Sequence, residues 1–263
     1  MTCPQTHLDI LLSRIVTHGD NPFFKSVHRN PSSPGGLTWD TTTYGQFGRD
    51  VESLATHLKL SFQRDEIPDN AVIAIKSVSE SRCGRVFADH FDSLNGLTYS
   101  DIVHIYAVSR AGYVPNLLSN ALTDPGVIYE LLTRTQSKAF IHEPTFDLGS
   151  CLSIPEYHRI DLSTLTPTSS EGILPQAQNY DPNAIAFIQY TSGSTADLPS
   201  VIRCTNKWFN YVYDSWNTFW NAPRDGEPPD VLNIPGPVCN PSGLHGEDSQ
   251  LAPLTIDLLI TVS

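Results

Sequence analysis

The chain lacks any apolar run long enough to span a bilayer, and its first residues lack the basic segment of a secretory signal. Asp9 interrupts the apolar residues that follow. The five cysteines are scattered along the chain and include no C-x-x-C pair, so they indicate neither a disulfide framework nor a zinc site. These absences predict a reduced, cytoplasmic protein without a membrane span.

Basic residues are also scarce. Sixteen Lys and Arg stand against 28 Asp and Glu, which gives a formal charge of −12, and the basic residues form no stripe along the chain. General electrostatic attraction to a nucleic-acid backbone is therefore excluded, and we expect no nucleic-acid partner. Metal-binding spacings such as H-E-x-x-H are missing too. His104 lies among apolar residues of a predicted helix, which favours a buried structural histidine over a catalytic one.

The apolar residues follow a helical spacing in some segments and form short continuous runs in others. Helical spacing predicts helices over residues 7–17, after Thr43 as an N-cap, around residues 102–108 with Gly112 just past the end, after Asp124 and along the aromatic run 208–220. Short apolar runs predict buried strands at residues 71–75, 113–115, 139–141 and 184–188. Strands that alternate with helices indicate an α/β fold in which helices flank a parallel sheet.

Three segments interrupt this rhythm. Residues 21–36 are expected to form a loop because they are rich in Pro, Ser and Gly. Residues 143–183 form a loop-rich connection dense in Ser, Thr and Pro. Residues 77–93 are polar and without clear periodicity. They are either an ordinary surface insertion or translated intron at a wrongly joined exon boundary.

The richest local signal is YTSGSTADLPSVI, residues 190–202, directly after an apolar strand. Gly193 allows a sharp backbone turn, while the hydroxyls and N–H groups of neighbouring residues can converge on phosphate oxygens. An acidic protein can bind ATP in this way, because ATP requires a local group of donors rather than a positive net charge. The alternative is a Ser/Thr/Gly-rich turn without a ligand.

This stretch resembles the phosphate loop of the AMP-forming adenylate-forming enzymes, [YF]TSG[ST]TGxPKG. Among these enzymes, the sequence resembles the fungal reductase-type adenylation proteins in particular. The resemblance implies that Thr191, Ser192, Gly193, Ser194 and Thr195 wrap the β- and γ-phosphates of ATP, with Thr195 touching phosphate or its Mg²⁺. Three positions depart from the family pattern, since Ala196, Ser200 and Val201 replace glycine, lysine and glycine. Ala196 and Val201 are unfavourable if those positions need a positive φ.

A second motif, IPGPVCNPSGLHG at residues 234–246, resembles the family segment that borders the acyl pocket. Asn240 stands where that family places a histidine or aromatic residue, and Gly243 fits the pattern. The resemblance makes Asn240 and Gly243 candidate pocket residues for a small carboxylic acid. A Pro/Gly loop without a site is an equal alternative.

The resemblance covers the front part of the family architecture, so the expected fold is an incomplete N-terminal domain of the adenylate-forming fold. Its expected parts are a first α/β portion (1–142, with the insertion 77–93), the connection 143–183, and the phosphate-loop strand with the start of a second α/β portion (184–263). The adenine motif and the catalytic lysine of the C-terminal domain have no counterpart here.

The resemblance implies an AMP-dependent ligase that makes an acyl-adenylate from Mg-ATP and a carboxylic acid, with CoA or a phosphopantetheine carrier protein as thiol acceptor. We expect this chain to be truncated and inactive alone. The alternatives are a non-catalytic homologue that binds a nucleotide or acyl ligand, and a fragmentary gene product.

Overall fold

The computed structural model describes residues 6–29, 32, 37–76, 98–119, 122–144, 146, 153–165, 170–175, 180–191 and 198–220. The helices are α1 His7–Thr17, α2 Tyr44–Arg64, α3 Tyr99–Arg110, α4 Pro125–Thr135 and α5 Asn206–Trp220. The strands are β1 Pro22–Arg29, β2 Leu37–Thr43, β3 Val72–Lys76, β4 Val114–Leu118, β5 Ala139–His142, β6 Glu156–His158, β7 Ile185–Tyr190 and β8 Val201–Thr205.

A six-stranded sheet in the order β6-β5-β3-β4-β7-β8 organises the described residues. Five of its strands run parallel, and β8 alone of the six is antiparallel to its neighbour, β7. β1 and β2 form a separate antiparallel pair. The predicted α/β class, a mostly parallel sheet flanked by helices, is confirmed.

The helices begin where short polar side chains cap them. Thr43, predicted as a cap, accepts a hydrogen bond from the backbone N–H of Gln46 at 3.2 Å and starts α2. Thr98 and Asp101 form a reciprocal capping box at the start of α3. Asp124 caps α4, whose first residue is Pro125. Gly112 ends α3 in the left-handed region with φ of 87°, as its place in the sequence predicts.

The sheet divides the core into two apolar layers. Ile73 and Ile75 of β3 face the larger layer, which contains α2 and α3, whereas Ala74 faces the layer under α4. This alternation is the period of two that a strand imposes on its side chains. The connection from β3 through α3 to β4 runs one way across the sheet, and the connection from β4 through α4 to β5 runs the other way. Because such connections are right-handed, the two helices lie on opposite faces of the sheet.

Three strands were missed by the sequence reasoning. β1 lies inside the segment expected to be a loop, so the loop prediction for residues 21–36 is wrong over Pro22–Arg29. β6 lies within the loop-rich connection and extends the parallel sheet beside β5. β8 returns antiparallel to β7 and ends the sheet. The segment 77–93 lies outside the described residues.

Candidate functional site

The candidate site lies at the carboxyl edge of the sheet, where β7 ends. Residues Ala186 to Tyr190 are buried, and Ile188 pairs in parallel register with Asn116 of β4. The carboxyl ends of β3, β4, β5 and β7 therefore share one edge. Ligands of open α/β sheets bind outside this edge.

A closed neck holds the segment from Thr191 to Ser200, here called the β7–β8 loop. The backbone N–H of Thr191 donates to the carbonyl of Ser200 at 3.1 Å, and the N–H of Ser200 donates to Thr191 Oγ1 at 3.1 Å. Tyr190 and Val201 pair directly below. The Thr191 hydroxyl oxygen and N–H thus close the loop at its base.

Most of the sequence-predicted site residues lie outside the described residues: Ser192, Gly193, Ser194, Thr195, Asn240 and Gly243. The structure places Thr191 at the neck, so the phosphate role of the loop stays a prediction. Ala196 is outside as well. Val201 begins β8 as an ordinary extended residue, which removes the concern that it would need a positive φ.

A buried polar network supports β7 from the side of α4. The Tyr190 hydroxyl donates to Asn116 Oδ1 at 2.7 Å, and Asn116 Nδ2 donates to Thr135 Oγ1 at 3.0 Å and Ser137 Oγ at 3.1 Å. We call these four residues the Tyr190 network, and all four are buried. Burial raises the pKa of Tyr190 to about 12, so its hydroxyl stays protonated and able to donate.

The opposite face of β7 carries Gln189, whose amide Nε2 donates to Cys204 Sγ at 3.1 Å. Burial raises the pKa of the Cys204 thiol to about 11. A thiol that remains protonated is a poor nucleophile, so this cysteine acts as a packing residue.

Lys76 marks the carboxyl end of β3. Its ammonium donates to the carbonyls of Ser119 and Leu122, at 3.1 and 2.6 Å, and lies 4.7 Å from the ring centre of Phe146. Lys76 and Leu118 are register partners, so this cation fixes the connection that leaves β4. The sequence analysis did not identify this lysine.

A buried ion pair ties the β6 end of the sheet to α3. Arg159 Nη1 donates to Asp101 Oδ1 at 2.6 Å, and both side chains are 3% exposed. His104 accepts a hydrogen bond from the N–H of Ile160 at 3.3 Å. Burial first, and then the Arg159 charge, lower the pKa of His104 to about 3. His104 is therefore a neutral structural histidine, as predicted.

Neither a metal centre nor a bilayer-crossing helix is found in the described part of the chain. There, no three His, Cys, Asp or Glu side chains are grouped so as to hold an ion. None of the helices in those ranges combines the length and the apolar character that crossing a membrane requires. Thr195, the predicted Mg²⁺ contact, is outside those ranges.

Comparison with known proteins gives one curated match and several structural ones, while no family model matches. The AMP-binding domain-containing enzyme iboA of Amanita muscaria (strain Koide BX008) is 23% identical over 239 residues, which are 89% of this chain and 42% of that protein. The structure of VinN with 3-methylaspartate superposes with a TM-score of 0.65 at 15% identity, covering 98% of this chain and 59% of VinN.

The chain is similar to the N-terminal part of adenylate-forming enzymes. A fatty acyl-adenylate ligase from L. pneumophila, solved with acyl adenylate and pyrophosphate, has a TM-score of 0.53 at 18% identity over 84% of this chain and 33% of the ligase. The N-terminal subdomain of Klebsiella oxytoca NpsA, solved with 3-hydroxybenzoyl-AMSN, has a TM-score of 0.51 at 16% identity over 77% of this chain and 41% of that chain. The resemblance to adenylate-forming enzymes is thereby confirmed, and this chain spans about two fifths of the curated relative.

Proposed function

We propose that this chain is an AMP-dependent synthetase/ligase-like protein, which in its complete form uses Mg-ATP to activate a carboxylic acid as an acyl-adenylate. The observation that carries the proposal is the position of the β7–β8 loop. It is a hydroxyl-rich segment with a closed neck, and it follows a parallel strand at the carboxyl edge of an adenylate-forming fold. The curated AMP-binding relative and the acyl-adenylate complexes of the structural neighbours support it.

The donor set of the loop suits phosphate and Mg²⁺. Ser192, Ser194 and Thr195 offer hydroxyls, and Gly193 allows the backbone to approach an anion closely. Thr195 is our proposed contact to phosphate or Mg²⁺, whose preferred ligands are oxygens. Bound Mg-ATP would supply the activated phosphate, and the loop residues would hold and orient its β- and γ-phosphates.

The remaining parts of the proposal rest on the sequence resemblance. Asn240 and Gly243 border the acid pocket, and the thiol acceptor is CoA or a phosphopantetheine carrier protein. The protein works in the cytoplasm.

The test is Mg-ATP binding to the purified chain, measured by titration calorimetry. Wild type should bind, and Thr195→Val should weaken binding by about tenfold or more, because a hydrogen bond to a charged group contributes roughly 1.5–3 kcal/mol. Thr17→Val is the matched control, since the Thr17 hydroxyl donates to the Ser13 carbonyl on the exposed side of α1. A folded wild type that binds no Mg-ATP, or equal losses in both variants, would contradict the proposal.

The second candidate is a non-catalytic homologue that holds a nucleotide or acyl ligand. A fragmentary gene product is the remaining alternative. Ser200 favours it, because an exposed serine stands at the position of the family lysine. Losing a charge-assisted hydrogen bond weakens the hold on phosphate by roughly 1.5–3 kcal/mol. Mg-ATP binding with micromolar affinity, unaccompanied by adenylation in any longer form of the protein, is the result that would favour this candidate.

A further inference from the structure

The Tyr190 network lies immediately below the neck of the β7–β8 loop. Tyr190 is the last residue of β7, and Thr191, the next residue, makes both neck hydrogen bonds to Ser200. A shift of the Tyr190 backbone would therefore move the neck. The placement of the loop depends on what holds Tyr190.

On the side of β8, Tyr190 is held by strand pairing with Val201. On the side of β4, the register pair is Asn116 with Ile188, two residues before Tyr190. The Tyr190 hydroxyl reaches back to Asn116 Oδ1 and joins the end of β7 to β4 beyond that pair. A side-chain hydrogen bond thus adds to the strand pairing at the end of β7.

Asn116 is itself fixed from behind. Its Nδ2 donates to Thr135 and Ser137, at the end of α4 and just after it, and Thr135 Oγ1 lies within hydrogen-bond distance of the Leu131 carbonyl, at 2.8 Å. β4 is an interior strand of the sheet. The amide is therefore held by rigid elements, which is the arrangement that positions a site accurately.

Packing alone does not account for these polar groups. The Tyr190 ring lies in an apolar layer with Leu118, Ile128 and Leu131, where a phenylalanine would bury the same ring. A fully buried asparagine needs its hydrogen bonds satisfied, so it constrains the hydroxyl that meets it to one place.

We propose that Asn116 is a positioning residue for the phosphate-binding loop, acting through the Tyr190 hydroxyl. The inference rests on the proposed function, because it assumes that the β7–β8 loop binds phosphate. It assigns to β4 a role that the loop motif itself does not contain: this strand determines where the neck lies.

The test measures the affinity of Mg-pyrophosphate for the full chain by calorimetry, and stability by urea unfolding. Tyr190→Phe should raise Kd about tenfold, equivalent to about 1.4 kcal/mol. Tyr157→Phe is the matched control, since it also removes a tyrosine hydroxyl that donates to a side-chain oxygen, here the Asp65 carboxylate, but on β6 at the far edge of the sheet. Its Kd should stay within about twofold of wild type, well below the tenfold step that 1.4 kcal/mol represents.

A double variant, Asn116→Leu with Tyr190→Phe, separates positioning from stability. Replacing both partners with apolar groups leaves no orphaned polar atom, because Thr135 and Ser137 still bond to each other at 2.9 Å. Stability should recover towards wild type while Kd stays raised. A Kd that returns to the wild-type value would overturn the inference, whatever the stability.

The wild type distinguishes the two failures. If folded wild type binds no Mg-pyrophosphate, the proposed function fails and takes this inference with it. If wild type binds and Tyr190→Phe binds equally well, or if Tyr157→Phe loses as much affinity as Tyr190→Phe, the positioning role alone is wrong.

Discussion

His7 shows how a single buried side chain can make the whole domain sensitive to pH. It packs between the rings of Tyr106 and Phe209, and its Nδ1 has no hydrogen-bond partner among the described residues. Burial lowers its pKa to about 4, with Asp9 opposing the shift. The folded state therefore holds His7 neutral, whereas the unfolded chain protonates it near pH 6.5.

The sign of the pH dependence follows from this difference in proton binding. Above pH 6.5 both states leave His7 neutral, and stability does not depend on it. Between pH 6.5 and about 4 the unfolded state binds an extra proton, so we expect stability to fall by roughly 3 kcal/mol. Urea unfolding across this range should show a shallower pH slope in His7→Phe. An unchanged slope would contradict the prediction. His104, whose pKa is also lowered, should still contribute to the pH dependence of stability in the His7→Phe variant.

The candidate site shows which residues a sequence can identify. Thr191 was predicted as a phosphate contact from a local pattern of hydroxyls and glycine, which needs no knowledge of the fold, and that role stays a prediction. Lys76, Asn116 and Arg159 were not predicted, because each acts through partners distant in sequence, such as Asp101, 58 residues before Arg159. A buried asparagine within the apolar run of β4 was the signal available, and it could have been noticed.

At the scale of elements, amphipathic helices and apolar strands were predictable, whereas strands without a continuous apolar run were not. α1 was predicted at its observed bounds, and α2 begins directly after Thr43, as predicted. β6 has only three residues and β8 is interrupted by Arg203, so neither forms a continuous apolar run. Both strands exist because a neighbouring strand offers hydrogen bonds, which is information from elsewhere in the fold.

Arg159 connects the short strand β6 to α3, and its loss should weaken that connection strongly. Arg159→Met would leave Asp101 buried with one charged partner fewer, although the Thr98 cap still bonds to it. Breaking a buried ion pair costs about 3–5 kcal/mol. We expect a loss of this size in urea unfolding of the whole chain.

The control for Arg159→Met is Arg64→Met, which breaks the surface pair with Asp65. An ion pair between exposed side chains contributes little to stability, so this variant should unfold close to wild type. Equal losses in the two variants would show that burial does not decide the strength of these pairs.

At the scale of the whole molecule, the fold and the chemistry have different requirements. The described sheet provides an edge and a loop that is closed at its neck, where we propose that the β- and γ-phosphates bind. Attack by a carboxylate occurs at the α-phosphate, where negative charge must be stabilised as it develops. The family residues that do this, in the adenine motif and on the C-terminal lysine domain, have no counterpart within residues 1–263.

The last prediction follows from this separation. The purified 263-residue chain should bind Mg-ATP yet show no acid-dependent exchange of pyrophosphate into ATP, across a panel of aliphatic, aromatic and amino acids. Thr195→Val, which removes the proposed phosphate contact, sets the background of the assay. Exchange well above that background with any single acid would show that these residues form a working adenylation site. The proposal that this chain holds the phosphates but does not activate the acid would then be wrong.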